Sequence, residues 1–218
     1  MTVFALKLLA VLSMFVDHLG AEIFVHELWM RHFGRLAFPI YAFLISEGFR
    51  HTRNLRAYLS RLFVFAIVSE VPFDLYFSGY FPDFGHQNVY FTLFLGLFAL
   101  YVIVESNSGF LKAVALVGIC LIAQGFHTDY RYPGVLLIVC FYYLKEFELL
   151  KCLSAICINI RLFPAYVQAT GCLALLPIYL YNGKKGPKWR FFFYAFYPLH
   201  LILLYGIKQC FLEGGVSS

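Results

Sequence analysis

Charge is scarce in this sequence. Asp, Glu, Lys and Arg make up 13% of its 218 residues, about half the share in soluble globular chains. With 61% hydrophobic residues and a mean hydropathy of +0.76, that shortage excludes an ordinary soluble domain. Low-complexity tracts are missing too, and a 20% aromatic content excludes a disordered chain. No CxxC pair occurs. The six cysteines (Cys120, Cys140, Cys152, Cys157, Cys172, Cys210) fall in apolar stretches, which reads as buried, inert thiols, with no metal expected. A continuous basic face is also lacking despite the net charge of +5, so nucleic acid is not an expected partner. The first apolar run holds Lys7, Asp17 and His18 and lacks a small-x-small cleavage site, so it does not read as a cleavable signal peptide. No internal repeat or domain boundary is visible, and residues 1–218 read as one membrane-embedded domain.

What the sequence does contain is apolar runs, and a bilayer span takes about 20 such residues. Runs at 4–25, 33–49, 58–78, 89–105, 111–126, 133–145 and 191–212 read as helices. Residues 152–181 leave room for two short helices broken near Arg161–Pro164, or a re-entrant pair. The expected fold is all-α, a polytopic integral membrane helical bundle of about nine transmembrane helices, with eight to ten as the bounds. Three connectors are basic: Arg50, Arg53 and Arg56; Lys145 and Lys151; Lys184, Lys185, Lys188 and Arg190. The positive-inside rule places all three in the cytoplasm, with Met1 beside them and Ser218 outside. Arg31 and Arg35 fall on the outer side and run against the rule.

Ionisable residues inside apolar runs are the informative feature: Lys7, Asp17, His18, Glu47, Arg61, Glu70, Asp74 and His200. A charge at the bilayer centre costs at least about 2.5–3.5 kcal/mol on insertion scales, so such groups pair, turn inward or line a polar chamber. Lys7 and His18 are close to three helical turns apart and share a face, about 16 Å apart along the axis. Asp17 points about 100° away from His18 and so does not orient that imidazole from its own face. Counted from the basic side, His18 lies about 20 Å deep and His200 about 14 Å, on different helices. Pro39 is expected to kink the second run. The arginines from Arg50 to Arg61 read either as a solvated flank or as a phosphate site, since guanidinium forks match phosphate oxygens. Gln87 and Asn88 read either as helix caps or as neutral donors to an acceptor substrate. Tyr130, Arg131, Tyr132 and Pro133 are equally ambiguous.

The blocks LKLLAVLSMFVDH, GRLAFPIYAFLISEGFRHTRN, YLSRLFVFAIVSEVPFD, QNVYFT and FYAFYPLHLILL run in order across nearly the whole chain and resemble the TraX family of integral membrane proteins. The Lys7-x10-His18 spacing is also similar to the basic-x10-His feature of acyltransferase 3 proteins, with Lys7 where those usually have Arg. The resemblance implies an acetyltransferase of the bacterial cytoplasmic membrane that uses cytosolic acetyl-CoA, with a pilin N-terminus, another peptide, a glycan or a small molecule as acceptor. It implies phosphate contacts from Arg50, Arg53, Arg56 and Lys7, and His18 as general base or transient acyl carrier. Asp17, Arg35 or Glu70 would orient the acceptor, and His200 would polarise the carbonyl or shuttle a proton. Two other readings stand beside it: a non-catalytic scaffold for pilus or envelope assembly, and a proton-coupled carrier. The sequence leaves a homodimer open.

Overall fold

The computed structural model describes residues 1–163 and 166–214, with the backbone alone at 190 and 212–214. Its regular elements are helical, and no strand occurs among the described residues. In chain order they are α1 (Val3–Glu22), α2 (Leu28–Gly34), α3 (Ala37–His51), α4 (Leu55–Phe77), α5 (Val89–Glu105), α6 (Gly109–Gly125), α7 (Arg131–Tyr143), α8 (Glu148–Cys157), α9 (Leu175–Tyr179) and α10 (Arg190–Gly214). A π-helical turn (Ile158–Leu162) continues α8, and a 3₁₀ segment (Tyr166–Ala174) leads into α9. By length and composition α1 and the Phe191–Phe211 part of α10 are apolar enough to cross a membrane. The remaining expected spans are shorter or more highly charged. Helices α5 and α6 have 17 residues each, about 25 Å of rise, and α4 carries Arg56, Arg61, Glu70 and Asp74.

Caps place several of these helices. Thr2, Asn54, Asn88 and Ser108 each accept a hydrogen bond from a backbone N–H in the first turn that follows, satisfying donors that helix geometry leaves orphaned. The expected kink at Pro39 does not occur. The chain breaks earlier, between Gly34 and Ala37, so Pro39 falls in the first turn of α3. There its missing N–H has no helical acceptor to lose. Residues 152–181 comprise the end of α8, the π-helical turn, the 3₁₀ segment and α9; Pro164, the expected break point, lies outside the described residues, as does Ser218.

Ionisable groups are buried beside an apolar core while many large apolar side chains are exposed. Asp17, His18, Glu47, Asp74, Asn88 and His200 are buried, while Val64, Ile67, Val68, Leu111, Val114, Val117, Leu121, Leu199, Ile202 and Leu203 are exposed along α4, α6 and α10. An apolar exterior of that extent marks a surface made to meet something other than water. Contacts also sort the connectors into two ends. The amide of Val3 donates to the Lys184 carbonyl (2.9 Å), and Arg50 on α3 donates to carbonyls at the C-terminal end of α7. All three basic connectors therefore gather at one end. At the other, Lys208 pairs with Glu22 (2.7 Å) and Gln87 N donates to the His127 carbonyl (3.1 Å).

Close approach of α7 to its neighbours depends on Gly134, where an added Cβ would sit 2.6 Å from Thr92 Cγ2, 2.7 Å from Tyr130 Cβ and 2.8 Å from Phe38 Cζ. Tyr130 is itself stacked on Phe38 at 3.6 Å, so neither ring has room to retreat. Gly134→Ala should lower stability by about 1–3 kcal/mol through overpacking. Gly118→Ala on the open face of α6 should be neutral or stabilising by up to about 1 kcal/mol. Thermal unfolding of the purified variants reads both.

Candidate functional site

The centre of the molecule is a pair of imidazoles brought together from the two helices that are both long and apolar enough to cross a membrane. His18 on α1 and His200 on α10 approach to 2.7 Å between Nδ1 and Nε2, with ring planes 8° apart. Both are buried, at 8% and 4% exposure. Nδ1 of His200 lies 2.8 Å from the Phe196 carbonyl one turn earlier, while the Phe196 ring stacks on His200 at 4.8 Å. Phe77 meets His18 edge-on at 5.4 Å. The Tyr76 hydroxyl donates to the His18 backbone carbonyl (2.7 Å), tying α4 to α1 at this level.

Proline shapes α10 immediately before the pair. Pro198 lacks an N–H, so the Tyr194 carbonyl four residues earlier loses its helical donor. The Tyr90 hydroxyl on α5 supplies a replacement at 3.1 Å. A buried carbonyl left without any donor would cost about 1–3 kcal/mol.

Between this pair and the basic end runs a cavity of about 540 Å³, within the range of small-molecule sites. Its mouth and upper wall carry Lys7, Arg53, Arg61, Lys185 and Lys188, with Glu47 and His51 among them. Deeper walls are aromatic, including Tyr41, Tyr58, Tyr90 and Tyr194, and Met14 and Tyr197 line its inner part. The cavity does not reach the imidazoles. The Tyr197 ring lies between, 6.0 Å from the His18 ring and 5.6 Å from that of His200, with its residue buried.

The other sequence candidates divide by place. Lys7 and Arg53 line the cavity; Lys7 Nζ sits 5.3 Å over the Phe193 ring. Arg50 does not line it. Its guanidinium holds Glu47 (2.9 Å), stacks over Tyr142 (4.8 Å) and donates to the Tyr142 carbonyl, clamping α3 to α7. Arg56 is exposed on the first turn of α4, away from the cavity. Lys185, Lys188 and Arg61 line the cavity, whereas Arg50 and Arg56 do not. The 184–188 loop reaches the mouth by docking on residues 1–4, a contact across the whole chain with no local sequence signal.

Asp17 turns away from the histidines, as helical geometry requires, and its carboxylate is held by Arg31 (3.1 Å) and Arg35. Gly34 permits this approach, since a Cβ there would lie 2.1 Å from Asp17 Cβ. Asn88 caps α5 and also donates to the Ala66 carbonyl (2.8 Å) and to the Glu70 carboxylate. Gln87 donates to the Asp83 carbonyl (3.2 Å), and Asp74 accepts from the Asp83 amide (2.8 Å), bracing the 78–88 connector. These residues belong to the end opposite the cavity mouth. No group of three His, Cys, Asp or Glu among the described residues is placed to hold a metal ion.

In the same connector His86 faces Asp129 at 3.2 Å. Burial alone would depress the His86 imidazole, but the hydrogen bond and charge of Asp129 outweigh it and leave the imidazole above its ordinary value. A raised folded-state value means a contribution fully present below the unfolded value of about 6.5 and lost as pH climbs through the folded one. Asp129→Asn should therefore lower the thermal midpoint most near pH 6 and very little near pH 9 (both about, on the imidazole scale). A difference that does not shrink with rising pH would refute the pairing.

The family model described as TraX protein matches residues 3–208. A probable fimbrial assembly protein, FimC of serogroup H1, from Dichelobacter nodosus is 30% identical over an alignment of 237 residues, covering 94% of this chain and 95% of that one. Protein TraX from Escherichia coli is 28% identical over 213 residues, covering 91% of this chain and 84% of that one. No solved structure matches. Matched along almost its entire length, the chain belongs to the TraX family.

Proposed function

We infer that the protein is a membrane-embedded acetyltransferase that moves an acetyl group from cytosolic acetyl-CoA to an amine or hydroxyl acceptor, a pilin N-terminus or another cell-envelope molecule. The observation that carries this reading is the buried His18–His200 pair standing behind the floor of a cavity with a basic mouth. The apolar exterior around buried ionisable groups supports a bundle that sits in lipid. Gathering of the basic connectors at one end supports a cytoplasmic N-terminus. The fimbrial assembly named in one relative supports a pilin-like acceptor.

In this reading the phosphates of the donor meet Arg53, Arg61, Lys185, Lys188 and Lys7 at the mouth, as charge-assisted hydrogen bonding favours. The narrow pantetheine arm follows the tyrosine-lined wall and leaves the thioester against Met14 and Tyr197. Rotation of the Tyr197 ring then opens the last step to His18. His18 takes the proton of the attacking acceptor, a role worth about 10²–10⁴ in rate. Arg35, Asp17, Glu70, Gln87 and Asn88 hold the opposite end of the bundle, from which the acceptor approaches.

Two measurements test this. His18→Ala should abolish transfer of labelled acetyl from acetyl-CoA to a pilin-type peptide while the protein purifies folded, and retained turnover would remove the assignment. Arg53→Ala combined with Lys188→Ala should raise KM for acetyl-CoA about tenfold or more with kcat little changed, the signature of lost uniform binding.

A further inference from the structure

The geometry assigns His200 as a positioning residue that fixes the tautomer of His18 and makes Nε2 of His18 the proton-accepting nitrogen; the chemical part of this assignment rests on the acyl-transfer reading above. A neutral imidazole has one N–H donor and one lone-pair acceptor. The Phe196 carbonyl only accepts, so Nδ1 of His200 carries the proton that spans their 2.8 Å contact. Nε2 of His200 is then the lone-pair nitrogen. The proton across the 2.7 Å contact belongs to Nδ1 of His18, and Nε2 of His18 is left unprotonated.

The rings are held as well as wired. They lie within 8° of coplanar, with Phe196 stacked on His200 and Phe77 edge-on to His18. Catalytic bases are commonly oriented by a third group that fixes their tautomer, most often a carboxylate. Here the adjacent carboxylate, Asp17, is engaged by Arg31 and Arg35 on another face of α1. The task falls to a neutral imidazole on α10, whose own tautomer is set by a backbone carbonyl.

The transfer step then balances without any co-reactant. The acceptor amine nitrogen attacks the thioester carbonyl carbon, its N–H proton passes to Nε2 of His18, and the carbonyl π pair moves onto oxygen. On collapse the carbon–sulfur bond breaks with its electrons going to sulfur. Nε2 of His18 returns the proton to the thiolate, leaving an amide and the free thiol of coenzyme A.

The test uses the full chain, labelled with ¹⁵N-imidazole histidine and reconstituted in phospholipid nanodiscs, together with acetyl transfer from acetyl-CoA to a pilin-type peptide. Long-range proton–nitrogen spectra of the wild type should show His18 protonated at Nδ1 and lone-pair-bearing at Nε2, with His18→Ala giving the assignment. His200→Leu should convert His18 to a mixture of tautomers and lower kcat about a hundredfold or more, with KM for acetyl-CoA unchanged. His200→Gln, whose amide oxygen also accepts from Nδ1–H, should restore the tautomer and recover most of the lost kcat. A wild-type His18 carrying its proton on Nε2 overturns the assignment outright, whatever the His200 variants do. So does a His200→Leu protein with normal kcat beside an inactive His18→Ala. If His18→Ala retains transfer, the acyl-transfer reading fails, and the spectra still decide whether His200 fixes the tautomer.

Discussion

A hydrogen bond between two imidazoles 182 positions apart closes this fold. Each ring is buried, and a buried polar group without a partner is costly. The bond therefore requires the first and last helices to lie side by side at one depth, rings in register. Around it the same demand recurs. Pro198 strips a donor from α10 and Tyr90 on α5 replaces it; the Tyr76 hydroxyl from α4 takes the carbonyl of His18 itself. Four helices, α1, α4, α5 and α10, are thus bound together at the histidine level by polar contacts inside an apolar assembly. Low local polarity strengthens each of these bonds and penalises each unmade one, so the arrangement is specified more sharply than apolar packing alone would achieve.

Charge is distributed along the bundle in the same spirit. Bases collect where the N-terminus, the 184–188 loop and the start of α4 meet, and part of that collection forms the mouth of the cavity. At the far end, carboxylates meet guanidiniums, amides and an imidazole in pairs: Asp17 with Arg31 and Arg35, Glu70 with Asn88, Asp129 with His86. Between them stand tyrosines, which can pack as apolar bodies and still offer a hydroxyl. In the acyl-transfer reading the donor enters past the bases and the acceptor from the paired end, and Tyr197 separates the two until the thioester arrives.

Much of this is visible in the residues before any coordinates. The helical runs at 89–105, 111–126 and 133–145 correspond closely to α5, α6 and α7, because periodic apolar stretches flanked by Asn88, Ser108 and Tyr130 have few other solutions. The 100° step per residue already separates Asp17 from His18. Other features are invisible locally. The run at 33–49 reads as one helix, yet it divides after Gly34, the residue that packs closely against Asp17. Arg50 and Arg53 look alike in sequence, but Arg50 is held in the last turn of α3 against Tyr142 and Glu47, while Arg53 lies in the loop beyond the helix end and lines the cavity.

By itself, then, the sequence determines that the chain is helical, apolar outside, and obliged to shelter a small set of ionisable groups, His18 among them. Those properties follow from composition and period, which each short window carries within itself. Which groups meet is decided only by the tertiary structure. The pairing of His18 with His200, the reach of the 184–188 loop to residues 1–4, and the exclusion of Arg50 from the cavity depend on helix crossings between distant segments, and no local pattern encodes a distance between segments that are brought together only by packing.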